Sequence, residues 1–176
     1  IGQIIARKLH SEWKVEYAEH PYTHIMHDGI DIDIVPCYAV KSAEKIKSAV
    51  DRTPFHVQYI EKNLPARLSD HVRLFKQFLK AKKIYGADAK TEGLSGYTCE
   101  LLLVHHKNLL NLFKAITKWS PGEIVDLEKV YDKKNFSEVR KKFWNQPLVV
   151  IDPTDKNRNT AAALTAENFF LLKKRA

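Results

Sequence analysis

Cysteine, methionine and long apolar runs are scarce in this sequence, and each scarcity closes off a class of explanation. Two cysteines, Cys37 and Cys99, in 176 residues cannot build a cysteine-rich zinc site or a disulfide framework. Each lies in an apolar stretch, where a free cysteine behaves as a small buried hydrophobe. No apolar run approaches the roughly 20 residues that a transmembrane helix needs, and no secretory signal is visible. A reducing, cytoplasmic location without a membrane partner is the expectation. There is no initiator Met. Ile1-Gly-Gln-Ile-Ile-Ala-Arg-Lys-Leu9 reads as the middle of an amphipathic helix, so the sequence is expected to begin inside a domain.

Acidic residues are also in short supply. There are 21 Asp and Glu against 29 Lys and Arg, a formal net charge of +8. An excess of this size favours polyanions such as nucleic acid, nucleotides or an acidic membrane surface. From charge alone, a basic surface with no such partner is equally compatible. Hydrophobic residues make up 44% and charged residues of both signs 28%, which is the composition of a globular chain with one fair-sized core or two small ones.

Patterning changes along the chain. Alternation over 13–18, 22–27 and 30–35 reads as strands. Asp28-Gly29 between the last two is the signature of a type I′ hairpin turn, and Pro36 ends the strand or places it on an edge. From Ser42 the period becomes helical: about 42–51, then from Pro54 to about Asn63, then 66–83, where Leu68, Val72, Phe75 and Leu79 share a stripe. A long helix is expected from Ser95-Gly96 through Trp119, a strand and turns over 120–134, a helix over 135–144, a buried strand over 148–151, a polar loop over 152–159 and a last helix near 161–175. The break between strands and helices lies around 38–52.

Chemistry-bearing residues are few. Asp31 and Asp33 fall on one face of a strand, opposite Ile30, Ile32 and Ile34. Two exposed carboxylates could hold a hard metal ion for phosphoryl transfer, but a solvent-facing polar alternation gives the same pattern. Lys76 sits on a helix that otherwise buries Phe75 and Leu79. Thr53 precedes Pro54 at a helix start, where free N–H groups favour anions. His105 and His106 have no partner at metal-ligand spacing and are read as packing residues.

Several segments occur in a recognisable order: Tyr17-Ala-Glu-His-Pro-Tyr22, Asp33-Ile-Val-Pro-Cys-Tyr38, Asp51-Arg-Thr-Pro-Phe-His56, Phe75-Lys-Gln-Phe-Leu-Lys80 with Ile84-Tyr-Gly-Ala87, Gly93-Leu-Ser-Gly-Tyr-Thr-Cys-Glu-Leu-Leu102, and Val149-Val-Ile-Asp-Pro-Thr-Asp-Lys-Asn-Arg-Asn159. Over residues 13–167 this order resembles that of class I (archaeal-type) CCA-adding enzymes, the tRNA nucleotidyltransferases. Asp31/Asp33 also imitates the acidic pair of polymerase-beta-type enzymes. No Gly-Ser turn precedes it, however, and Pro36-Cys-Tyr38 follows, so Asp33 matches the family's third-carboxylate strand.

The resemblance implies an α+β fold. A partial polymerase-beta-like nucleotidyltransferase sheet over 1–40, the C-terminal part of the catalytic domain, would precede a mostly helical poly(A)-polymerase-like central domain over 41–176 that binds nucleotide and tRNA. It implies template-independent addition of CCA to the tRNA 3′ end from CTP and ATP, with Mg²⁺ as cofactor. Asp33 would be the catalytic, metal-binding carboxylate. Thr53, His56, Lys76 and Tyr85 would contact the triphosphate, Arg158 the base and tRNA phosphates, and Tyr17 and His20 would lie near the nucleotide. The family's first two carboxylates have no counterpart here, so these 176 residues alone are expected not to catalyse. A poly(A) polymerase or oligoadenylate synthetase, and a non-catalytic RNA-binding module, are the alternatives. Oligomeric state is undecided, with a homodimer left open.

Overall fold

The computed structural model describes residues 1–17 and 21–176, and it divides into two compact units, Ile1–Phe55 and His56–Ala176. The fold is α+β. In the first unit, helix α1 (Gly2–Lys8) precedes a meander of β1 (Trp13–Tyr17), β2 (Pro21–His27) and β3 (Ile30–Ile34) in the order β1-β2-β3, with both pairs antiparallel. The turn residues Asp28 (φ 49°) and Gly29 (φ 76°) are both left-handed, as a type I′ turn requires. His27 therefore faces Ile30 and His24 faces Asp33. Ala6, Ile25 and Ala43 are buried apolar residues of this small unit, and Thr23 is buried as well.

Two expectations for this region are corrected. Residues 42–51 form no continuous helix but two short 3-10 turns, Ala43–Lys45 and Ala49–Arg52. The cause is the buried Asp51 carboxylate, which accepts from the backbone N–H groups of Tyr38 (2.8 Å), Lys47 (2.8 Å) and Ser48 (2.9 Å). Side-chain bonding of this kind competes with the helical ladder. Burial would raise the Asp51 pKa, but these bonds outweigh it and hold it at about 2. Cys37 is exposed, unlike Cys99, because it lies past the end of β3 among exposed Val35, Pro36 and Tyr38.

The second unit holds the main core. Helix α2 (Thr53–Asn63) contains the division between the units. It is followed by α3 (Ser69–Ala81), α4 (Gly96–His106), α5 (Leu109–Ile116), β4 (Glu123–Val125), α6 (Phe136–Lys142), β5 (Leu148–Asp152), β6 (Asp155–Asn159) and α7 (Ala166–Arg175). The expected single helix through Trp119 is two. Lys107 turns left-handed (φ 67°), and the Asn108 side chain caps α5 by accepting from Asn111 N–H at 2.8 Å. The expected loop over 152–159 is largely strand β6, paired with β5.

Strand β5 organises this unit. It pairs with β4 in parallel and with β6 antiparallel, and all five of its residues are buried. Leu148 and Val150 join the main cluster with Phe75, Leu79, Leu112 and Phe169, while Val149 and Ile151 meet Val139 and Phe143 of the α6 segment. A strand covered on both faces reads as a continuous apolar run, as Leu-Val-Val-Ile does. Buried Asn159 closes the β5–β6 hairpin. Its side chain accepts from Val150 N–H (2.7 Å) and Ala161 N–H (2.9 Å) and donates to the Leu148 carbonyl (2.8 Å).

Between α3 and α4 the chain doubles back tightly. Leu94 N–H donates to the Ile84 carbonyl (2.9 Å), Gly93 N–H to that of Gly86 (2.9 Å), and Tyr85 pairs with Leu94. A Cβ on Gly93 would collide with the Ile84 carbonyl, reaching its carbon at 2.5 Å. Backbone cannot yield as a side chain does. Gly93→Ala is therefore expected to lower stability by about 3 kcal/mol, read as a lower urea midpoint at unchanged slope. An unchanged midpoint would refute the close approach.

Candidate functional site

A buried charge marks the end of β5. The Asp152 side chain has 0% exposure, a position that a carboxylate holds only when well hydrogen-bonded. Its Oδ1 accepts from Thr154 N–H (2.9 Å) and Thr154 Oγ1 (2.8 Å), and more distantly from the Tyr97 hydroxyl (3.4 Å). Its Oδ2 takes His56 Nε2 (2.9 Å) and Arg158 NH1 (3.0 Å). Burial alone would raise the Asp152 pKa. The bonds from His56 and Thr154 more than offset this and hold it at about 2. With Asp152 ionised, His56 Nε2 must carry a proton, which leaves Nδ1 as the ring nitrogen not used by Asp152. The His56 ring stacks on Tyr97, with centroids 3.8 Å apart and planes at 14°. Burial, then the Asp152 charge, push the Tyr97 phenol well above its ordinary pKa.

The first turn of α4 gathers a second set. Ser95 caps this helix, its Oγ accepting from Thr98 N–H at 3.2 Å. A Cβ on Gly96 would lie 3.1 Å from the Tyr85 hydroxyl and 3.4 Å from Lys76 Nζ, so both polar ends converge where a side chain would otherwise stand. One turn on, Glu100 accepts from Lys76 Nζ at 2.7 Å. Burial would lower the Lys76 pKa, but Glu100 more than compensates and raises it, so Lys76 stays cationic. Lys80 lies over the Tyr85 ring, 5.3 Å from its centroid. The N-terminus of this eleven-residue helix and the Lys76 cation beside it together suit an anion.

The first unit, taken by itself, carries candidate residues of a different kind. Asp33 Oδ1 is 2.8 Å from His24 Nδ1, and Asp31 Oδ1 is 3.3 Å from His24 Nε2. Both carboxylates are exposed. They are hard oxygen donors of the type Mg²⁺ takes, and Asp33 fits as one ligand of such an ion. Among the described residues no group of three or more His, Cys, Asp or Glu could hold a metal ion by itself. Thr53 is exposed at the start of α2, and Tyr17 is exposed at the end of β1. His20 lies outside the described residues.

Comparison with known proteins decides the family. Residues 70–176 match the family model described as tRNA nucleotidyltransferase, second domain. The chain belongs to this family. It is 42% identical over 170 residues to the CCA-adding enzyme of Methanocaldococcus jannaschii, covering 96% of this chain and 38% of that protein. It is 48% identical over 167 residues to that of Methanoregula boonei, covering 95% and 34%. The chain thus spans a little over a third of the length of these relatives. A solved structure described as the basis for the activity of a cytoplasmic RNA terminal U-transferase superposes with a TM-score of 0.67 at 14% identity, covering 98% of this chain and 67% of that one. That likeness shows the α+β nucleotidyltransferase fold. Among the described residues no helix is long and apolar enough to cross a membrane.

Within the second unit, four of the residues singled out from sequence fall into two pairs. His56 and Arg158 share Asp152, and Lys76 and Tyr85 share the approach to Gly96. Neighbours Gly96 and Tyr97 connect the pairs, since Tyr97 reaches Asp152. Four members of this arrangement escaped the sequence reading: Asp152, Thr154, Tyr97 and Glu100. A signal for Asp152 was present, because a carboxylate ending the run Leu-Val-Val-Ile must be buried and therefore partnered. Nothing local pointed to Tyr97 or Glu100.

The ionised Asp152 links stability to pH. Its pKa lies below the ordinary 3.8, so its contribution is complete above that value and disappears as pH falls from about 4 to about 2. The size at neutral pH is roughly 2 kcal/mol. A carboxyl-carbon NMR titration of Asp152 should show a midpoint near 2, accompanied by a falling urea midpoint over the same window. An ordinary midpoint would contradict the network.

Proposed function

We propose that this chain provides nucleotide and tRNA binding for template-independent addition of CCA to tRNA 3′ ends. The carrying observation is the cluster at the first turn of α4, where Lys76, Tyr85 and the helix N-terminus converge and Tyr97 leads to the Asp152-held His56 and Arg158. In this reading Lys76, Tyr85 and His56 take the triphosphate. The planar donor fork of Arg158 reads the base of CTP or ATP and touches tRNA phosphates. The 3′-hydroxyl of tRNA attacks the α-phosphorus and releases its proton to solvent as the new phosphodiester forms, and pyrophosphate leaves with the bonding electron pair.

The resemblance assigns Asp33 as the metal-binding carboxylate, and Thr53, Tyr17 and His20 as further nucleotide contacts. Mg²⁺, when bound, would neutralise charge developing on the phosphates. A cytoplasmic location accords with a tRNA substrate. The excess of basic side chains, +8 overall, favours a polyanionic partner.

Two measurements test this reading. The chain should bind CTP and ATP, and Lys76→Ala should weaken binding about tenfold or more, as expected for loss of a charge-assisted contact. A chimaera in which this chain replaces the matching segment of the Methanocaldococcus jannaschii enzyme should extend tRNA lacking its terminus with C, C and A, as read by product sequencing. Homopolymeric A, or no discrimination between the nucleotides, would overturn the assignment.

A further inference from the structure

We propose that Asp152 is a positioning residue that couples the two ends of the nucleotide site, fixing the phosphate-side His56 and the base-side Arg158 through a single carboxylate oxygen. The inference rests on the nucleotide-binding reading above and deepens it. Both donors converge on Oδ2, His56 Nε2 at 2.9 Å and Arg158 NH1 at 3.0 Å. The acceptor cannot move, because Oδ1 is held by two bonds from Thr154 and its side chain has no exposure. The donors themselves reach solvent: His56 retains 16% side-chain exposure and Arg158 34%. Each therefore has its inner end fixed by Asp152 and its outer end available to a ligand.

The consequences for each donor are specific. His56 must present Nδ1 to the ligand, and stacking on Tyr97 fixes the plane of the ring. Arg158 spends NH1 on Asp152 and keeps its other donors for a base edge. Because one oxygen serves both, a shift of either side chain alters the anchor of the other. Recognition of the triphosphate and recognition of the base are then not independent. A nucleoside triphosphate engages both at once, whereas inorganic tripolyphosphate engages only the His56 end.

The amide in Asp152→Asn cannot replace the carboxylate. Whichever way it points, its NH₂ faces either the His56 and Arg158 donors or those of Thr154. The variant is expected to bind CTP at least tenfold more weakly while binding tripolyphosphate with a smaller loss. Leu172→Ala, a truncation of a buried core residue that donates nothing to the Asp152 network, supplies a destabilised control and should leave CTP affinity unchanged. A double-mutant cycle of His56→Ala and Arg158→Ala, with Asp152 intact, covers the case in which Asp152→Asn does not fold. Its effects on CTP affinity should be non-additive by several-fold. Equal losses for CTP and tripolyphosphate in Asp152→Asn, or an additive cycle, would overturn the coupling. Failure of the unaltered chain to bind CTP, ATP or tripolyphosphate would instead overturn the nucleotide-binding reading itself.

Discussion

One buried carboxylate governs the rest. Placing Asp152 at the end of an apolar strand costs several kcal/mol in desolvation unless every lone pair is satisfied. The structure satisfies it with donors from three separate segments: α2, the α4 start and the β5–β6 hairpin. The same bonds that make the charge tolerable set the directions of His56 and Arg158. Stability and site geometry are therefore two aspects of one network, and its members cannot be exchanged singly without leaving a buried group unpaired.

The surrounding architecture keeps this network rigid. Strand β5 is covered on both faces, by the α7 side of the main core and by Val139 and Phe143 around α6, so its last residue has no freedom to move outward. Asn159 locks β6 to β5 and fixes the strand on which Arg158 lies. On the other side, the tight doubling of chain between α3 and α4 brings Tyr85 and Lys76 to the first turn of α4. Glu100 holds Lys76 in place and keeps it charged. Binding groups prepared in this way lose less conformational freedom on binding.

Much of the fold was legible in the sequence, and the exceptions have physical causes. Asp28-Gly29 announced its hairpin because only left-handed residues close a two-residue turn. Leu148 to Ile151 announced a doubly covered strand. Strand β6 was hidden because Asp-Lys-Asn-Arg-Asn carries no apolar alternation and pairs through backbone and the Asn159 amide. The break after His106 was hidden because leucines continue across it at helical spacing, while a left-handed Lys107 and the Asn108 cap end the helix. The helix expected over 42–51 failed because Asp51 captures the N–H groups it would have used. Of the site, Lys76, Tyr85, His56 and Arg158 emerged from a resemblance of ordered segments and not from local chemistry. The Asp152 network did not emerge, since His56 and its acceptor are 96 residues apart in the chain.

The most direct measurement is a crystal structure of the chain with a non-hydrolysable CTP analogue. Phosphate oxygens are expected within hydrogen-bonding distance of Lys76 Nζ and the Tyr85 hydroxyl, with the cytosine edge facing Arg158 while Asp152 keeps its bonds to His56 and Arg158. An analogue bound away from the first turn of α4, with Lys76 and Arg158 making no contact to it, would contradict this binding mode.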